Sequence, residues 1–137
     1  MFYLYPMQTR NILMLAAALG MIAVIFGAFS AHALKARLDV TSLGNWETAT
    51  RYQFYHVFAM IASVYIAQKT SDSLAIKAAW LFFTGILLFS GSLYLLSTRS
   101  LIGANLSWLG PVTPLGGLSF ICGWICLLVV FQRSVKN

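Results

Sequence analysis

From Asn11 to Leu34 the chain contains no Asp, Glu, Lys or Arg, and most of its residues there are aliphatic. A run of this kind restricts the fold more than any motif does. About 20 residues at ~1.5 Å rise cross a hydrocarbon core of ~30 Å, so an apolar run beyond about 18 residues reads as a membrane-spanning helix. Inside lipid the backbone must satisfy its own hydrogen bonds, which leaves helices and closed barrels. The run is too long and too continuous for a barrel strand. The rest of the 137 residues agrees: 60% are hydrophobic and only 9% charged, whereas soluble domains carry roughly a quarter charged residues. Such a chain cannot cover itself in water. It reads as an all-α integral membrane protein.

After a first span at about 11–34, the pattern predicts spans at about 52–68, 78–97 and 114–133. The second is short by itself, but the segment before it, GNWETATRYQFYH, has helical spacing. Trp46, Ala49, Gln53 and His56 recur at intervals of three, four and three on one face. Glu47 and Arg51 form an i,i+4 pair in the favourable order, and Asn45 is placed to cap the start. One helix over about 45–68 is therefore expected, with its first turns partly in the interface. The stretch LIGANLSWLGPV is broken by Gly103, Asn105, Gly110 and Pro111. It reads as an interfacial or shallow re-entrant loop with Trp108 as a headgroup-level anchor. Thr113 and Pro114 read as a capping hydroxyl and the first helical position.

The expected fold is a single domain over residues 1–137, an integral membrane four-helix bundle with a short interfacial amphipathic segment before the second span. Both termini fall on one side. That side holds Arg10, Lys69, Lys77, Arg133 and Lys136, and the other holds Lys35, Arg37, Arg51 and Arg99. The positive-inside rule then places the termini in the cytoplasm by one charge. The formal net charge of +6 is scattered singly at span ends, with no cluster able to neutralise a row of phosphates, so nucleic acid is not an expected partner. Ala31-His32-Ala33 looks like a signal-peptidase site, but the apolar run before it is longer than a signal h-region. Cys122 and Cys126, four apart on one apolar helix, are poor disulfide partners and read as small core residues.

Lipid supplies no hydrophobic drive between helices, so small residues that let backbones approach mark contact faces. Gly20, Ala23, Gly27 and Ser30 on the first span follow three-four-three spacing. Gly116, Ser119, Gly123 and Cys126 on the fourth follow it too. Both stripes are expected to be packing seams, either within the chain or in a homo-oligomer.

Counting along antiparallel spans gathers polar side chains at the face away from the termini. His32, Trp46, Arg51, Tyr52, Gln53, His56, Ser90, Ser92, Tyr94 and Thr113 all fall there. Unpaired polar groups in hydrocarbon are costly, so this set either satisfies itself or lines a wet pocket. Three readings of His32 and His56 stay open: interfacial or network histidines, a pocket for a lipid headgroup, quinone or other small molecule, and axial ligation of a haem or metal. No third ligand among nearby carboxylates supports a metal site, and no cofactor is expected. Asp39, Glu47 and Asp72 lie in connections, so no pair of carboxylates and no Ser-His-Asp set serves catalysis. No span carries the deep charge that ion-coupled transport usually needs. An enzyme is not expected.

Four stretches in order, GAFSAHALK, WETATRYQFYH (Trp46 to His56), FSGSLYLL (Phe89 to Leu96) and GPVTPLGGLSFICGW (Gly110 to Trp124), resemble the small membrane-protein family called domain of unknown function 423. Ser30 stands where that family usually has glycine. The resemblance implies four transmembrane helices in a bacterial plasma membrane or its organellar equivalent, and no established activity. Its motif positions here are His32, Trp46, Tyr52, Gln53, His56, Ser90, Gly91, Ser92, Tyr94, Thr113, Pro114, Gly116, Gly117 and Trp124, largely the polar end again. The expectation is a multi-pass membrane module, non-enzymatic, that binds a partner membrane protein or a lipid-like molecule through its polar cluster. A small oligomeric transporter or channel is one alternative, and a haem- or metal-binding redox protein the other.

Overall fold

A computed structural model of the protein describes residues 7–135; Lys136, counted above on the side of the termini, lies outside them. The described residues are almost wholly helical. Helix α1 (Met7–Phe29) ends in a π-helical turn (Ser30–Leu34). Helix α2 (Val40–Thr70) is one continuous rod. Helix α3 (Ser73–Gly85) passes through a second π-helical turn (Ile86–Ser90) into α4 (Gly91–Ile102). A short 3-10 turn (Ser107–Leu109) then leads to α5 (Val112–Ser134). Three stretches are long and apolar enough to cross a membrane: Met7–Leu34, Ser73–Ile102 and Ser107–Ser134. Helix α2 falls short of that standard because its first half, from Trp46 to His56, is rich in polar side chains.

Local chemistry explains where the helices begin. The cap of α2 is Asp39, not Asn45: its carboxylate accepts from the Ser42 N–H at 3.0 Å and the Ser42 hydroxyl at 2.6 Å. Those two bonds, the hydroxyl first, hold the Asp39 carboxyl below its ordinary range. The helix therefore starts five residues earlier than the sequence spacing predicts. Asp72 caps α3 by accepting from the Leu74 N–H at 2.8 Å, and its other oxygen faces Arg133 at 3.3 Å. Thr113 does not cap α5, which starts at Val112 with no side-chain cap bond; its hydroxyl is engaged across the molecule, as described below. In LIGANLSWLGPV, Leu101 and Ile102 prolong α4, and Gly103 ends it in the left-handed conformation, φ 63°.

Packing runs in chain order. Helix α1 lies on α2, α2 on the α3–α4 rod, and that rod on α5. Helices α1 and α5 both flank the central pair without touching each other, so the four-helix array is open where a closed bundle would bring them together. The main core is built from Ile12, Ala16, Met60, Ala79, Phe82 and Val130. A smaller one around Leu34, Trp46, Ala49 and Tyr94 closes the other end. The π-helical turn at Ile86–Ser90 inserts a residue into the α3–α4 rod, which shifts the facing of everything after it. Below the turn the rod presents Phe82 and Gly85 to α5; above it, Ser90 and Tyr94 reach α2 while Ser92 reaches α5.

Candidate functional site

The polar end is held together by hydrogen bonds between helices. The Trp46 indole N–H donates to the Phe26 carbonyl at 2.9 Å, and the Gln53 amide N–H donates to the Leu19 carbonyl at 2.7 Å. Gln53 Oε1 accepts from the Tyr94 hydroxyl at 2.9 Å, which also lies 3.2 Å from Thr50 Oγ1. A backbone carbonyl only accepts, so the orientation of the Gln53 amide is fixed by its partners. Ser90 donates to the Ala49 carbonyl at 2.8 Å, and Ser92 Oγ meets Thr113 Oγ1 at 2.6 Å. Phe26, Trp46 and Tyr94 stack around these bonds, their centroids 4.6–5.1 Å apart. Among the described residues no buried side-chain nitrogen or oxygen lacks a partner. Trp46, Thr50, Gln53 and Tyr94 are thus joined in one network, flanked by the separate Ser90–Ala49 and Ser92–Thr113 bonds, and each of these groups is engaged by the protein itself.

Four of the polar-end residues, His32, Arg51, Tyr52 and His56, stand apart from these bonds. His32 is exposed on the π-helical turn after α1, and Arg51 is exposed with its guanidinium 3.3 Å from Thr48 Oγ1. Tyr52 is 40% exposed, on the flank of α2 away from α1. The two histidines are not brought together: His56 is 5% exposed and enclosed by Tyr52, Phe82, Phe120 and Trp124, none of them from α1.

The two small-residue stripes meet different neighbours. On α1, a Cβ built on Gly20 would lie 3.6 Å from Val57, and one on Gly27 3.6 Å from Thr50. Ala23 is fully buried, and Ser30 bonds back to the Gly27 carbonyl. On α5, a Cβ on Gly116 would come within 2.3 Å of the Phe89 backbone nitrogen, and one on Gly123 within 2.5 Å of the Phe82 ring. Ser119 donates to the Leu81 carbonyl at 2.8 Å, and Cys126 packs against the main core.

Beside the network, between α2 and α5, lies a groove of about 630 Å³. Tyr52, Tyr55 and His56 form one wall, and Phe120, Ile121 and Trp124 the other. The His56 ring lies flat on Phe120, with centroids 3.4 Å apart and planes 6° from parallel. His56 Nδ1 is 2.7 Å from the Tyr52 carbonyl, and Nε2 is 3.3 Å from the Trp124 indole nitrogen. A carbonyl can only accept and an indole N–H can only donate. The neutral ring therefore carries its proton on Nδ1 and presents Nε2 as an acceptor at the groove wall. Its volume is in the range of small-molecule sites, which are mostly apolar with a few placed polar groups. Tyr55, Phe89, Phe120 and Ile121 were not among the residues expected from sequence, because an aromatic or aliphatic side chain on a membrane helix carries no mark separating a groove from lipid contact.

Comparison with known proteins adds a family. A family described as "Protein of unknown function (DUF423)" matches residues 26–117. The UPF0382 membrane protein YwdK of Bacillus subtilis is 40% identical over 118 residues, covering 85% of this chain and 92% of that one. The UPF0382 membrane protein SAB0533 of Staphylococcus aureus is 42% identical over 117 residues, covering 85% and 91%. No solved structure matches the chain. With most of its length aligned to bacterial membrane proteins and its apolar helices on the page, the chain belongs to the DUF423 family of membrane proteins.

Proposed function

We propose that this protein is a four-span, non-enzymatic module of the bacterial plasma membrane, with its termini in the cytoplasm, that holds a lipid-like molecule in the groove between α2 and α5. Helix α2 serves as the fourth span. Its Thr50 and Gln53 are turned onto α1 and α4, where partners satisfy them, and further along the rod meets lipid with Tyr55, Phe58, Ile61 and Tyr65. An interior polar face of this kind is compatible with a spanning helix because the costly groups are paired.

The observation that carries the binding reading is the contrast between the network and the groove. Among the described residues every buried side-chain nitrogen and oxygen of the polar network has a partner in the protein, whereas the groove is roomy, opens between half-exposed Leu118, Ile121 and Trp124, and has one imidazole nitrogen at its wall. The separation of His32 from His56 gives no support to paired axial ligation. Native mass spectrometry of the protein, extracted gently from its own membrane, tests the reading. The wild type should retain a small molecule, and Gly117→Leu should lose it. Gly117 lines the groove, and a Cβ there meets only Phe89 at 3.9 Å, an ordinary contact, so a larger side chain fills space without displacing backbone. A bare wild-type chain, or an adduct unchanged by Gly117→Leu, would contradict the proposal.

A further inference from the structure

Resting on that reading of the groove, we infer that its ligand is an amphipathic molecule bearing a hydroxyl, phenolic in type, that donates its hydrogen bond to His56 Nε2. The tautomer decides the polarity of recognition. With Nδ1–H committed to the Tyr52 carbonyl at 2.7 Å, the ring's one acceptor is the lone pair on Nε2, which now faces the Trp124 N–H at 3.3 Å. A ligand that offers only acceptors, a carbonyl or an ether, gains nothing there; a donor gains a hydrogen bond. The group now facing Nε2 is displaceable. The Trp124 N–H sits at 3.3 Å, longer than a well-made N–H bond, and Trp124 is 51% exposed. An incoming hydroxyl takes the place of the indole, which then turns toward lipid.

The walls select the rest of the molecule. His56 and Phe120 already form a parallel stack, and Tyr52 lies 4.7 Å from Phe89 by ring centroids. These paired rings leave an aromatic surface along the groove on both helices, and a planar ring bearing the hydroxyl packs against it. Leu118 and Ile121, more than half exposed at the groove's edge, continue the apolar surface outward for an aliphatic tail. No Lys, Arg, Asp or Glu lines the groove, so a charged headgroup finds no opposite charge there.

The test pairs two probes of nearly equal shape, 4-nonylphenol and its methyl ether, titrated calorimetrically against the full chain in lipid nanodiscs. The phenol should bind at least tenfold more tightly than the ether, although the ether partitions better into lipid. His56→Phe keeps a ring against Phe120 and removes the acceptor, so the two probes should bind it equally. Trp124→Phe removes the competing donor and should raise affinity for the phenol several-fold but not for the ether. Equal binding of both probes to the wild type, lost in Gly117→Leu, would overturn donor recognition while leaving the groove in place. Binding of neither probe, or binding unaffected by Gly117→Leu, would remove the groove reading and this inference with it.

Discussion

Helices α1 and α5 carry small residues at the same spacing and are attached to the same central pair, yet they are attached differently. Helix α1 is latched. Gln53 and Trp46 on α2 reach across to the Leu19 and Phe26 carbonyls, while Gly20 and Gly27 leave 3.6 Å for a methyl group that is not there. Helix α5 is wedged. Gly116 sits against the Phe89 backbone and Gly123 against the Phe82 ring, at distances no Cβ could share. Side-chain bonds without close approach hold the first seam, whereas the second joins its own bonds, Ser119 to Leu81 and Thr113 to Ser92, to an approach that only glycine allows. A stripe of small residues therefore tells that a helix has a neighbour, but not how near that neighbour stands.

Breaking the wedge should have the largest effect. In Gly123→Leu the side chain must enter space held by Phe82, and overpacking of this kind costs about 3 kcal/mol or more. No monodisperse folded species is expected in size-exclusion chromatography. Cutting the latch costs less. Gln53→Leu removes the bonds to Leu19 and Tyr94, and interhelical hydrogen bonds in membranes are worth about 0.6–1.7 kcal/mol each. A loss of ~1–2 kcal/mol should appear in thermal unfolding, and adding Tyr94→Phe should cost less than the sum of the two.

The smallest effect is local to the entry of α2. The Asp39 carboxyl is lowered because the Ser42 hydroxyl and N–H favour its charged form. A depressed value means the cap contributes fully above the unfolded pKa of about 3.9. That contribution disappears as pH falls through the lower folded value. Protection factors of the first-turn amides, Val40 to Leu43, corrected for the intrinsic pH dependence of exchange, should be lower in acid, below the unfolded carboxyl pKa, than at neutral pH. Asp39→Asn keeps an acceptor but no charge, and should flatten that dependence.

How far these features could be read from sequence follows from their physics. Apolar run length sets the helices, because the backbone has no other solution in lipid. That Trp46, Gln53, Ser90, Tyr94 and Thr113 share one end follows from counting along antiparallel rods. What each hydroxyl does with its proton does not follow. Thr113 had a cap and a Ser92 partner to choose between, and the 2.6 Å bond across helices was preferred. Asp39 outcompeted Asn45 as the cap by engaging both donors of Ser42. The π-helical turn at Ile86–Ser90 has no signature in ILLFS, since it serves packing against Gly116 and bonding to Ala49. The groove draws its walls from α2 and α5, which are distant in sequence and indistinguishable there from lipid-facing helix.

The most direct measurement places one methyl group in each seam. Gly27→Ala and Gly116→Ala are melted side by side in the same detergent. The account predicts that Gly27→Ala stays within about 0.5 kcal/mol of the wild type, as substitutions without a clash do. Gly116→Ala should lose at least ~2 kcal/mol, because the obstacle is the backbone of Phe89 and cannot rotate away. Equal losses in the two variants, or a tolerated Gly116→Ala, would contradict the distinction between latch and wedge.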